Sequence, residues 1–125
     1  MKTDELARRC AGYALDKKAF NVRLLHVGET SSLTDYILIA SGNSDRQVQA
    51  VAEAVRLGMK DECNEPAMAV EGMTEGRWVL LDFGDIMVHV FQQPVREFYD
   101  LDGLWVDAPE VALPEEQAER SRSES

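Results

Sequence analysis

The chain has 125 residues, 45 % of them hydrophobic, with 23 acidic against 13 basic side chains and a formal charge of −10. That length suits one domain with one core. The acidic balance opposes broad contact with phosphates, because nucleic-acid affinity rests on lysine and arginine displacing counterions, so little direct nucleic-acid binding is expected and a basic partner is favoured.

The start, Met1-Lys2-Thr3-Asp4-Glu5, lacks the apolar region of an export signal, and the longest apolar runs, such as Ile37 to Ala40, are too short to span a bilayer. A cytoplasmic protein without membrane contact is expected. Thr3, Asp4 and Glu5 form a good helix start, and Leu6, Cys10 and Ala14 recur on one face up to Lys17-Lys18. Cys10 and Cys63 lie far apart with no paired-cysteine or histidine-rich context, which argues against both a disulfide framework and a zinc site. No cofactor is expected.

From Asn21 to Val27 and from Tyr36 to Ser41 the chain turns β-branched and apolar around the loop Gly28-Glu29-Thr30-Ser31-Ser32, which predicts two paired strands. The second is apolar on both faces and therefore central. Ser44-Asp45-Arg46-Gln47 fits a capping box, with Ser44 as N-cap and Gln47 reaching back to its amide. Val48, Val51, Ala52, Val55 and Met59 then mark one helical stripe. A strand over Ala67 to Glu71 should lie parallel to the second strand. Gly72 and Gly76 flank a turn. Pro94 suits the first turn of a closing helix, on which Phe98, Leu101 and Trp105 share a face. Beyond it, residues 107–125 carry six acids and two arginines, leaving residues 1–106 at about −6; this acidic, serine-rich stretch reads as a mobile tail.

The most informative stretch is Trp78 to Phe91. Two strands are joined by Gly84-Asp85, a glycine-first two-residue loop, and that loop fixes the register. Trp78 should face Phe91, Val79 should face Val90, Leu80 should face His89, Leu81 should face Val88 and Asp82 should face Met87. Alternation then puts Val79, Leu81, Phe83, Ile86, Val88 and Val90 on one side, a core face. Trp78, Leu80, Asp82, Met87, His89 and Phe91 share the other, which mixes large apolar groups with an acid and an imidazole. Leaving its four large apolar side chains wet would forgo roughly 1.5–3 kcal/mol each, a sum comparable with the roughly 5–15 kcal/mol stability of a whole domain. Either the closing helix or a partner protein must shield it. An exposed anchor at the Trp78 end, rimmed by acids, fits the aromatic centres of protein interfaces.

Several blocks together resemble the ribosome silencing factor (iojap) family: residues 31–36, 41–50, Glu71-Gly72, Trp78 through Phe91, residues 96–101, and Leu104-Trp105. They keep the family's order over about residues 3–107. The resemblance implies a mixed five-stranded α/β (α+β) fold, elements in the order α-β-β-α-β-β-β-α, like that of nucleotidyltransferases. It implies binding to the large ribosomal subunit through its conserved L-type protein number fourteen at the intersubunit face, which blocks joining of the small subunit and damps translation in starvation or stationary phase. It carries the contact role to Trp78, Val79 and Leu80, with Asp82, Met87, His89, Phe91 and Tyr99 as further contacts, and it implies that a homodimer can form. Phe83 stands where the family often has Tyr, and Asp102 where it has Glu.

The competing reading is a nucleotidyltransferase-like enzyme with Asp82 and Asp85 as metal ligands and residues 41–44 as a phosphate cradle. Against it, Asp82 leaves one sheet face while Asp85 sits in the turn, so the pair lacks the adjacent carboxylates a two-metal site requires. His26 and His89 follow no nucleophile motif.

Overall fold

A computed structural model describes residues 1–114. Helix α1 (Thr3–Asp16) begins after Lys2, with Asp4 and Glu5 in its positively polarised first turn. Strands β1 (Phe20–His26) and β2 (Tyr36–Gly42) follow, then helix α2 (Asp45–Cys63), and the strands β3 (Ala69–Glu71), β4 (Trp78–Asp82) and β5 (Ile86–Gln92). The sheet order is β1-β2-β5-β4-β3. β2 and β5 run parallel, and the remaining neighbours are antiparallel. β3 runs in the direction of β2, as expected, but lies at the far edge; β5 takes the place beside β2.

Helices α1 and α2 cover one face of the sheet. Ala7, Cys10, Ala11 and Ala14 meet the stripe of Val48, Val51, Ala52, Val55 and Met59 over Leu38, Ala40, Val79, Leu81, Ile86, Val88 and Val90. Cys10 is buried there as a free thiol, with Cys63 half-buried. The central strand is buried on both faces from Ile37 to Ala40, in keeping with its unbroken apolar run.

Ser44 caps α2 by accepting from the Gln47 amide at 3.1 Å. The return bond differs from a capping box: Gln47 Oε1 accepts from the amide of Asn43, not of Ser44. Gln47 Nε2 donates to the Lys18 carbonyl at 3.0 Å. The side chain therefore fastens the start of α2 to the turn that ends α1.

The C-terminal part departs from the single helix read in the sequence. Helix α3 (Gln93–Tyr99) stops at Asp100, whose left-handed backbone (φ 49°, ψ 50°) separates it from the single turn α4 (Leu101–Leu104). Leu101, Trp105 and Val95 pack with Leu25, Val27, Ile37, Ile39 and Phe91 on the second face, whereas Phe98 is 81 % exposed. The kink breaks the helical period that grouped Phe98 with the other two.

Residues beyond 106 also contact the fold. His26 donates to the Pro109 carbonyl at 2.9 Å and Val111 to the Leu24 carbonyl at 2.8 Å, so 109–111 runs along the outer edge of β1. Val111 and Leu113 pack on the main core. The remainder of the expected tail, 115–125, lies outside the described residues.

Candidate binding face

The hairpin has the register derived from its loop, from Trp78 opposite Phe91 to Asp82 opposite Met87. Phe83 donates to the Ile86 carbonyl at 2.9 Å across the turn, and Gly84 has φ +87°, the left-handed backbone that favours glycine. Asp82 Oδ1 accepts from the Gly84 amide at 2.8 Å, closing the turn. Gly72 (φ +82°) makes a close approach on the other side, where a Cβ would stand 2.1 Å from the Trp78 carbonyl oxygen.

Burial divides the second face. Over β1, β2 and β5 it is covered by Val95, Leu101, Trp105 and Ala108. Over β4 and at the start of β5 the half-buried Trp78, Leu80, Asp82 and Met87 remain in reach of solvent. The C-terminal helices thus shield one half of this face and leave the other partly open. Of the residues singled out in the sequence, Trp78, Leu80, Asp82 and Met87 come together here. Tyr99 joins them from α3, 58 % exposed, with its ring 5.1 Å from that of Trp78. Val79 points to the helix-covered core and Phe91 is fully buried, so neither meets solvent. His89 is also buried, at 8 % exposure.

Phe91, Trp78, Tyr99 and Phe98 form a strip of rings leading from core to surface, with successive centroids 4.7, 5.1 and 5.1 Å apart. Stacked and edge-on contacts at these separations suit aromatic quadrupoles. Beside the strip, Arg77, Pro94, Val95, Phe98 and Tyr99 line an open groove of about 310 Å³. Trp78 Nε1 donates to His89 Nδ1 at 3.0 Å. Burial lowers the His89 pKa to about 4, so at neutral pH the ring is uncharged, with its proton on Nε2 and Nδ1 free to accept.

The rim is acidic. Glu71 lies opposite Leu80 and Asp85 stands at the turn, both exposed, with Arg77 as the nearby base, whereas Glu97 and Asp100 line a separate pocket with Arg23 and Arg96. The Asp82 carboxylate is engaged by the turn, and among the described residues no group of three or more His, Cys, Asp or Glu side chains could hold a metal ion.

Sequence reasoning missed the group that seats α3 and α4. Arg96, buried at 6 % exposure, forms a bidentate pair with Asp102 at 3.0 and 2.9 Å and donates to the Asn21 carbonyl and to Ser41 Oγ. Arg23 adds a second bond to Asp102 at 3.0 Å and pairs with Glu110. Hydrogen bonding from Arg96, helped by Arg23, pulls the Asp102 pKa down to about 2 against the cost of burial. No local pattern marked it, since Arg96 shares its side of α3 with the polar Gln93 and Asp100.

The fold is that of a small α+β domain whose second sheet face ends in an aromatic strip at the surface. The family model described as "Ribosomal silencing factor during starvation" matches residues 1–125, and the chain belongs to that family. The ribosomal silencing factor of Bacillus subtilis is 41 % identical over 112 residues, covering 87 % of this chain and 92 % of its own length. The mouse protein named "Mitochondrial assembly of ribosomal large subunit protein 1" is 30 % identical over 91 residues, or 71 % of this chain and 40 % of its own. A crystal structure of a Chromobacterium violaceum protein superposes with a TM-score of 0.82 at 32 % identity, covering 91 % of this chain and 93 % of the other. The mixed five-stranded fold and the family expected from the sequence are therefore both found.

Proposed function

We propose that the chain silences translation by docking the open half of its second sheet face on the large ribosomal subunit. The partner is the conserved L-type protein number fourteen at the intersubunit face, and the bound chain stands where the small subunit would join. Trp78 is the central anchor, with Leu80, Met87 and Tyr99 around it and Asp82 holding the turn beside them. The observation that carries this reading is a half-covered sheet face, apolar and aromatic at its centre, in a chain whose relatives are named ribosomal silencing factors. The chain's acidic balance supports a basic protein as the partner, since complementary charge steers encounter. The reading includes repression under nutrient limitation in the cytoplasm, and a homodimer as a further state of the free protein.

Trp78→Ala tests the assignment. Loss of a central aromatic anchor costs about 2–4 kcal/mol at an interface. The variant is expected to melt cooperatively yet fail to co-sediment with isolated large subunits. Normal co-sedimentation would move the interface elsewhere.

A further inference from the structure

We infer that His89 is a positioning residue that fixes which edge of the Trp78 indole a docking partner meets, so that the anchor is set before contact. The inference rests on the binding face proposed above. The rings of Phe91 and Tyr99, 4.7 and 5.1 Å from Trp78, restrain its tilt. Ring stacking alone, however, does not fix which of the orientations related by a half-turn about the Cβ–Cγ bond the indole takes. The hydrogen bond from Trp78 Nε1 to His89 Nδ1 breaks that equivalence, since a turned indole would carry its N–H away from the acceptor.

His89 can do this because it lies two residues before Phe91 on β5, diagonal to Trp78 across the pair. At 8 % exposure the imidazole presents almost no surface of its own to a partner. Its burial also keeps Nδ1 unprotonated at neutral pH. With the indole N–H already satisfied, the partner's recess needs no acceptor for it and meets the carbon edge of the ring.

The test is a titration of isolated large ribosomal subunits with the full chain and three variants. Asparagine places a side-chain oxygen where Nδ1 stands, so His89→Asn should bind within about threefold of the parent. His89→Leu, which keeps bulk but offers no acceptor, should bind about tenfold more weakly, or ~1.4 kcal/mol. Equal losses in the two variants, or parent-like binding by His89→Leu, overturn the positioning role. Trp78→Ala separates the two ideas: if it binds like the parent, the face itself is misassigned and the inference falls with it. A measurement on the unmodified protein guards against variants that do not fold. Of the two indole N–H signals, that of Trp78 should show ¹⁵N coupling across the hydrogen bond to His89 Nδ1, and its absence overturns the inference.

Discussion

Arg96 is the residue on which the C-terminal layer depends most heavily. It is buried with donors to Asp102, the Asn21 carbonyl and Ser41 Oγ, so removing it strands a carboxylate and two acceptors at once. Breaking one side of a buried ion pair costs roughly 3–5 kcal/mol. Arg96→Met should therefore lower stability by about that much in urea unfolding while leaving the α1–α2 core intact. Two groups give the acid limb of stability its shape. Asp102 is depressed from its ordinary 3.8 to about 2, so its contribution is complete above the higher value and is lost as pH falls through the lower. His89 is depressed from 6.5 to about 4; the unfolded chain takes up that proton first, so stability also declines as pH falls from 6.5 to about 4. Unfolding free energies measured at intervals between pH 7 and 2 should show both windows. Asp102→Asn should remove the lower and His89→Asn the upper.

Elements were legible where local chemistry fixed them. The glycine-first loop at Gly84-Asp85 set the register of β4 against β5, and the stripe from Val48 to Met59 set the buried face of α2. The break at Asp100 was hidden, because Phe98, Leu101 and Trp105 keep helical spacing and an aspartate in left-handed backbone looks like any other aspartate in sequence. The strap over β1 was hidden by composition, since Pro109, Glu110 and their neighbours read as solvated tail until backbone pairing with Leu24 and His26 is seen. Two changes probe these elements. Gly72→Ala imposes left-handed strain and a clash with the Trp78 carbonyl, for a loss of roughly 1–3 kcal/mol; it should weaken large-subunit binding as well as melting temperature. Ending the chain after Asp107 should lower the melting temperature by several degrees, because Val111 and Leu113 leave the core and β1 loses its cover.

For the molecule as a whole, a charge of −10 sets how it approaches a partner more than how tightly it is held. Rim charges act through the association rate and are screened within about 8 Å at physiological salt. Asp82 is a poor site to test this, since its carboxylate closes the turn; Glu71 and Asp85 are exposed and free of that duty. The double reversal Glu71→Lys and Asp85→Lys should slow association with large subunits about tenfold at low salt and far less at high salt, followed by stopped-flow mixing. The binding partner itself was legible only through family likeness, because no spacing of residues encodes a ribosome. The two borders of the sheet differ in a way that reaches beyond stability. Residues 109–111 occupy the rim of β1, while β3 ends the opposite side as three exposed residues. Fibre growth by strand addition requires two free rims per molecule, one to receive and one to offer. Because 109–111 cover the Leu24–His26 end of β1, strand addition is steered to the β3 side, which opposes the two-sided growth that a fibre needs.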